Sequence, residues 1–335
     1  MTLLAALPRP DVDRRAYFAG YFDAEGTVGV FPANAGRSWR TRIEFGQTNP
    51  CVLQQLQMFY GGSMHVVQRA RANWRDKYHW ALTRFNAVAC FLEDIRPFIG
   101  EKREQVEAVL GRFSTRMPAK DAQRLITDLK RMKQVELTVR KLPTSVKSRK
   151  KARTRCTVEG CSRSARAQGL CTRDYQRART AGTLTALQPK RGARSFARGN
   201  VASTELAYFA GYFDGDGSVD VRRRSNTWHL AIVFNQTRSE ALIRLHAVYG
   251  GNLRFRKRAA PRRNQLTWTL TQRSAVLTFL RDIQPFVIEK CEEVTAILAD
   301  YRSTMSDAEA HKLLQSLRRQ RPKRIQAALV ANENP

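Results

Sequence analysis

A ten-residue stretch occurs twice in this chain, nearly unchanged. Residues 17–26 read YFAGYFDAEG and residues 208–217 read YFAGYFDGDG. Each copy sets small residues four apart: Ala16, Gly20 and Ala24 in the first, Ala207, Gly211 and Gly215 in the second. On an α-helix that spacing draws one smooth stripe, along which a second backbone can approach closely. Tyr17, Phe18, Tyr21, Phe22 and their copies point away from the stripe and can fill two separate cores. Asp13 in one copy and Ser203 or Thr204 in the other supply N-caps. Gly26 and Gly217 suit the left-handed residue that follows a helix. One acid stands just before each glycine, Glu25 and Asp216. If the two stripes pack on each other, those carboxylates meet at the bottom of the seam.

The sequence downstream repeats as well. Residues 27–31 and 40–48 alternate as half-buried strands do, with turn composition between them. A helix is expected over 52–60, ended by Gly61-Gly62, then strands at 63–69 and 77–83 and a helix near 87–95. The second half retraces this order with strands at 218–223 and 228–237, a helix at 240–249, Gly250-Gly251, and strands near 253–257 and 266–271. Gln47 matches Gln236, Trp80 matches Trp268, Asp94 matches Asp282, and Pro97-Phe98 match Pro285-Phe286. One fold duplicated within one chain follows. The expected division is a first repeat with trailing helices at 1–141, a basic linker at 142–200 carrying a small module at 156–175, and a second repeat with trailing helices at 201–335.

FAGYFDAEG and FAGYFDGDG resemble the LAGLIDADG motif of homing endonucleases, in its two-motif, single-chain form. The resemblance implies an α+β fold of two tandem αββαββα repeats. It implies a pseudo-two-fold monomer with parallel motif helices at its centre and saddle-shaped antiparallel sheets over DNA. The implied activity is Mg²⁺-dependent, site-specific double-strand cleavage of a long, non-palindromic target, with Mn²⁺ or Ca²⁺ able to occupy the same sites. Two half-sites set a target of roughly 20 base pairs, and the cut would leave short 3′ overhangs.

By that resemblance Glu25 and Asp216 bind the catalytic metals, one from each motif. The residue types fit, since Mg²⁺ needs only one or two carboxylates beside phosphate and water, and free carbonyls at a helix C-terminus also favour a cation. Glu in place of the commoner Asp lengthens the reach but keeps the carboxylate. Asp23 and Asp214, two positions earlier, turn away from the metal side and are expected to make local hydrogen bonds. Gln47 and Gln236 end matched strands where the family positions water near the metal; taken alone they read as solvated strand ends. Lys102 and Lys290, in PFIGEK and PFVIEK, fall where the family carries a basic residue near the scissile phosphate; the bland reading is two lysines among 59 basic residues. A further basic residue sometimes found four after the glutamine is absent, with Cys51 and Glu240 in its place. DNA reading falls to outward strand positions: Arg40, Arg42 and Glu44 in one repeat, Arg222, Arg224 and His229 in the other. A β-ribbon fits the major groove, and arginine can bond bidentately to guanine, although many such residues touch only phosphate.

The charge agrees with a polyanionic partner. Formal net charge is +30 over 335 residues, which repels itself unless nucleic acid shares the surface. No apolar run spans a bilayer and no signal segment is evident, so no membrane partner is expected. Three of the six cysteines, Cys156, Cys161 and Cys171, are spaced C-x4-C-x9-C in the basic linker, with Asp174-Tyr175 just beyond. This resembles small zinc-binding modules of phage and bacterial DNA-binding proteins, which carry His-Tyr at the last place. Asp174 departs from that pattern, since carboxylates are less common in closed structural zinc sites; a zinc site and a decayed one both remain open. Cys51, Cys90 and Cys291 lie in apolar patterns and are expected to be buried. Cysteine usage points to a reducing, intracellular setting, bacterial or phage-infected cytoplasm or an organelle. Two other functions fit the same charge: an intron-splicing helper (maturase) that binds host-intron RNA, and a DNA-binding regulator without catalysis.

Overall fold

The computed structural model describes residues 7–68, 76–134, 155–166, 169–181, 199–224, 227–259 and 262–319. It divides into one unit formed by Met1–Leu142 with Arg198–Pro335 and a second formed by Pro143–Ala197.

In the larger unit the first repeat runs α1 (Val12–Glu25), β1 (Thr27–Ala33), β2 (Ser38–Gln47), α2 (Cys51–Tyr60), β3 (Ser63–Val67), β4 (Lys77–Leu82) and α3 (Phe85–Ile95), followed by α4 (Arg103–Arg112) and α5 (Ala119–Lys133). In the smaller unit α6 spans Thr172–Thr180. The second repeat runs α7 (Ser203–Asp216), β5 (Ser218–Arg224), β6 (Thr227–Gln236), α8 (Glu240–Tyr249), β7 (Asn252–Arg256), β8 (Gln265–Leu270) and α9 (Arg273–Ile283), followed by α10 (Cys291–Asp300) and α11 (Asp307–Arg319). The architecture is α+β, two αββαββα repeats. Each repeat holds a four-stranded antiparallel sheet, ordered β1-β2-β4-β3 and β5-β6-β8-β7.

Strand alternation sorts each sheet into two faces. Ile43, Phe45, Trp80 and Leu82 are buried under α1, α2 and α3, and Ile232, Phe234, Trp268 and Leu270 are buried in the second repeat. The paired glycines close α2 and α8 with positive φ at Gly61, Gly62, Gly250 and Gly251, which only glycine adopts readily. Each turn presents its first glycine's carbonyl to a core indole: Trp80 Nε1 donates to Gly61 O at 2.9 Å, and Trp268 Nε1 to Gly250 O at 2.8 Å.

The two cores join along the small-residue stripes of α1 and α7. A Cβ built on Gly20 would stand 2.0 Å from Tyr208 O, and one on Gly211 would stand 2.0 Å from Tyr17 O. A Cβ on Gly215 would stand 2.4 Å from Ala24 Cβ. Ser203 Oγ donates to Asp13 Oδ1 at 2.9 Å where both helices begin, so the helices run parallel.

Both helix ends depart from expectation. Asp11, not Asp13, caps α1 by accepting from Arg14 N at 2.6 Å, and α7 starts at Ala202 without a side-chain cap. Asp13 is instead drawn into the contact with Ser203. Gly26 and Gly217 are extended, with φ of −71° and −72°. Glycine is needed there for room, because a Cβ would fall 2.2 Å from the Phe22 ring and 2.3 Å from the Phe213 ring. Arg69, expected to end the third strand, lies outside the described residues, as does most of the expected linker.

Candidate active site

The parallel seam brings the C-termini of α1 and α7 side by side. The Glu25 side chain lies against Gly215, its Cγ 3.2 Å from where a Cβ would stand. Asp216 follows one residue later. Its carboxyl is pushed up to about 6, by burial first and then by the negative charge of Glu25, against a hydrogen bond donated by Gln236 Nε2. Two carboxylates therefore crowd one half-buried place at the base of the seam.

Asp23 and Asp214 do turn away, and each is fully engaged. Asp23 accepts from the backbone N–H of Gly100 (2.8 Å), Glu101 (3.0 Å) and Lys102 (2.8 Å), and from Tyr208 Oη of the opposite repeat (2.8 Å). Asp214 accepts from Ile288, Glu289 and Lys290 N–H at 2.7, 3.0 and 3.0 Å, and from Tyr17 Oη at 2.6 Å. Each aspartate thus fixes the loop entering α4 or α10, where the matched lysine stands.

The lysines point at the motif helices. Lys102 Nζ donates to Phe22 O at 2.6 Å and Gly26 O at 2.7 Å. Lys290 Nζ donates to the carbonyls of Phe213, Asp214 and Gly217 at 2.5, 2.8 and 2.8 Å. The helix-end carbonyls expected to stay free for a metal are therefore in part taken by ammonium groups. Burial lowers the pKa of both lysines, opposed by the carboxylates of Asp23 and Asp214. Lys102 and Lys290 also add positive charge near Asp216.

Two clefts open at the seam's base, and each is built from both repeats. In one, of about 350 Å³, Gln47 and Asn49 face Gly215, Gly217, Glu289 and Lys290. In the other, of about 230 Å³, Gln236 and Arg238 face Glu25, Gly26 and Lys102. Each cleft thus sets the glutamine of one repeat beside the motif-helix end and matched lysine of the other, while Gln236 Nε2 donates to Asp216 of its own repeat.

The LAGLIDADG-like domain family matches this sequence twice, over residues 13–96 and 203–283. The chain is a two-repeat member of the LAGLIDADG homing endonuclease family. No curated protein matches its sequence. Among solved structures it is similar to the LAGLIDADG homing endonuclease I-GzeII in complex with DNA target, at 10% identity over 90% of this chain and 96% of that one, with a TM-score of 0.52. It is also similar to the LAGLIDADG meganuclease I-AabMI bound to uncleaved DNA, at 12% identity over 91% and 98%, with a TM-score of 0.51. At such identities the likeness is one of fold.

This LAGLIDADG chain carries a feature around its acids that the sequence did not reveal. Four tyrosines of the motif helices donate across the seam to four carboxylates. Besides Tyr17–Asp214 and Tyr208–Asp23, Tyr21 Oη donates to Glu289 at 2.7 Å and Tyr212 Oη to Glu101 at 2.9 Å. Glu101 and Glu289 are pushed up to about 8, chiefly by burial. The signal present in the sequence is the matched Glu-Lys pair in PFIGEK and PFVIEK, in which the glutamate recurs as regularly as the lysine. Arg238 was also missed; its guanidinium donates to Glu101 O and Met132 O, beside Gln236. It stands two residues after the glutamine, whereas the position four after it holds Glu240.

The outer faces of the family sheets hold the expected strand residues. Arg40, Arg42 and Glu44 alternate with buried Trp39, Thr41, Ile43 and Phe45 on β2. Arg42 pairs with Glu44 at 2.9 Å and lies over the Phe31 ring at 4.5 Å. Arg222 and His229 are exposed and directly opposed across β5 and β6, while Arg224 ends β5 opposite Thr227. The same face adds Asn235, which accepts from Thr267 Oγ1 at 2.7 Å, and exposed Arg254, which is in register with Thr267.

In the smaller unit the ligand atoms of Cys156, Cys161, Cys171 and Asp174 all lie within 4.8 Å of one another. The other cysteines are not buried as expected: Cys51 and Cys291 are exposed and Cys90 is half-buried. Cys51 and Cys291 open α2 and α10, where the first residue sits outside the packed stripe.

Proposed function

We propose that this chain is a monomeric, divalent-metal-dependent endonuclease that cuts both strands of a long, non-palindromic DNA target. The observation that carries the reading is the convergence of Glu25 and Asp216 at the base of the α1–α7 seam, with Asp216 pushed up to about 6 beside Glu25. Crowded carboxylates of this kind suit a hard cation that relieves their repulsion, and the surrounding donors are carboxylate and amide oxygens, which favour Mg²⁺, Mn²⁺ or Ca²⁺. When bound, such a metal supplies Lewis acidity at the phosphate and lowers the pKa of attacking water.

The chain's own groups divide the remaining work. Glu25 and Asp216 would hold the metals, and Gln236 orients the Asp216 carboxylate. Gln47 and Gln236 reach into the two clefts, where they can order water beside the scissile phosphates. Lys102 and Lys290 pin the helix ends that carry the acids and place positive charge where the phosphate acquires negative charge. Arg40, Arg42, Glu44, Arg222, Arg224 and His229 would face the duplex from the sheets. Matched positions on these faces differ: Arg40 corresponds to His229, Arg42 to Ala231 and Glu44 to Val233. Unlike half-sites follow from that difference.

The test is cleavage of a randomised duplex library with Mg²⁺, beside the Glu25→Ala, Asp216→Ala double variant, with sequencing of the cut ends. Asymmetric sites cut by the intact chain alone are expected. Duplex binding without any cutting would overturn the nuclease in favour of a regulator. Preference for structured intron RNA would overturn it in favour of a splicing helper.

A further inference from the structure

The described part of the smaller unit has almost no apolar interior. Helix α6 buries no residue, and the buried side chains between residues 155 and 181 are Cys156 and Cys171, 7% and 2% exposed. Among the described residues 155–166 and 169–181 apolar burial contributes little to the shape, and small units commonly make up for a thin core with a metal, disulfides or a partner. What packs at the centre here is sulfur and one carboxylate.

We propose that Cys156, Cys161, Cys171 and Asp174 bind one structural zinc ion, which fastens α6 so that its arginines hold DNA phosphates. The distances fit a closed four-ligand set. Zinc with Zn–S near 2.3 Å keeps its sulfurs about 3.8 Å apart. Here Cys161 Sγ and Cys171 Sγ are 3.9 Å apart, and Asp174 Oδ2 lies 3.3 Å from Cys156 Sγ and 2.9 Å from Cys171 Sγ. No pair of these cysteines is bonded as a disulfide.

The backbone is shaped around the ligands. Cys156 N–H donates to Arg163 O at 2.8 Å beside an antiparallel bridge between Arg155 and Ser164, and Cys161 N–H donates to Val158 O at 3.0 Å. Gly160, just before Cys161, takes φ of +74° to tighten that turn. Cys171 N–H donates to Cys156 Sγ at 3.2 Å, the kind of outer contact that orients a thiolate ligand. Cys171 then stands at the N-cap position of α6, without a side-chain capping bond, and Asp174 lies in the first turn of that helix. The ion would thus tie the knuckle at 156–161 to the start of α6.

The load on α6 is basic. Arg173 and Arg177 stand four apart and exposed, Arg179 is exposed in the last turn, and Arg155, Arg163 and Arg166 are exposed beside the knuckle. Only Glu159 and Asp174 offset them between residues 155 and 181. A rigid helix carrying arginines at this density suits phosphate contacts, which position without reading sequence. The choice of DNA over RNA rests on the proposed function above; the zinc site does not.

The test uses the full-length chain, purified reduced and without chelator. Elemental analysis should find one zinc per chain, and Co²⁺ exchange should give the visible bands of tetrahedral cobalt thiolate. Cys161→Ser should abolish both signals, and Asp174→Asn should weaken metal affinity more than about tenfold. A chain with neither zinc nor cobalt bands, or with these thiols oxidised as purified, overturns the site. For the helix, duplex affinity is measured without Mg²⁺ across salt concentrations. The Arg173→Gln, Arg177→Gln variant should keep its zinc and lower the salt slope by about 2. An unchanged slope on DNA, or a change confined to structured RNA, overturns the DNA role. A chain that binds zinc and shows the slope change but never cuts leaves this inference standing and sinks the nuclease reading.

Discussion

Gly20 faces the Tyr208 carbonyl so closely that a Cβ would stand 2.0 Å from its oxygen, and Gly211 stands in the same relation to Tyr17. The lining atoms are helix backbone, which cannot rotate away as a side chain can. Gly20→Ala or Gly211→Ala must therefore push α1 and α7 apart along the whole seam. The expected loss is about 3 kcal/mol or more, at the upper end for overpacking. The control is Gly111→Ala in α4, where a Cβ meets nothing within 4 Å and helix propensity should add about 0.5–1 kcal/mol. Urea unfolding of the three variants decides the matter; similar effects at Gly20 and Gly111 would contradict the seam geometry.

Lys102 and Lys290 offer a sharper question, because a lysine reserved for phosphate would be idle in the free protein. Here each ammonium group holds two or three carbonyls at the end of a motif helix. Lys102→Met should cost the DNA-free protein about 1–3 kcal/mol, the range for losing hydrogen bonds to a charged group. Unchanged stability combined with lost cleavage would assign the lysine to phosphate alone.

Much of the fold could be read from the chain because it depends on local periodicity. Stripe residues four apart on α1 and α7 gave the seam, and alternation gave the strands within one or two residues. Helix caps were less readable, since Asp11 and Asp13 are equally suitable on paper and the contact with Ser203 decides between them. The positions of Glu25, Gln47 and Lys102 could be read from the duplication. Their contacts could not, because sequence does not say where a lysine Nζ points. The tyrosine–carboxylate bonds join residues 111 to 268 positions apart, beyond the reach of any local pattern.

If the sheet faces contact DNA as proposed, side chains that bond one another would be held in register for base edges, whereas exposed arginines would suit phosphate. Asn235, held by Thr267, belongs to the first kind and exposed Arg40 to the second. Asn235→Ala should relax preference at one target position by about 1–3 kcal/mol. Arg40→Ala should weaken all sequences alike and lower the salt slope by about 1. Binding profiles on a library of single-base variants, taken at several salt concentrations, separate the two patterns. Exchange of the two outcomes would reassign both residues.

Glu101 and Glu289 give the fold a pH dependence whose sign is set by their burial. Each is pushed up to about 8 in the native state, against about 4.3 for an unfolded glutamate. For Glu101 the charge of Asp23 adds to burial while Lys102 and Arg238 oppose it; for Glu289 Asp214 and Glu25 add and Lys290 opposes. Between those two pH values the native chain keeps protons that the unfolded chain has released. Stability contributed by these groups is therefore fully present below about pH 4.3 and is lost as pH rises toward 8, at up to about 1.4 kcal/mol per unit for each group. Glu101→Gln with Glu289→Gln retains an oxygen to accept from Tyr212 and Tyr21 and removes the ionisation. Urea midpoints between pH 5.5 and 8.5, without Mg²⁺, should fall less in this variant than in the native chain, leaving the variant the more stable of the two at pH 8.5. Parallel pH profiles would mean that both glutamates are ionised in the native fold.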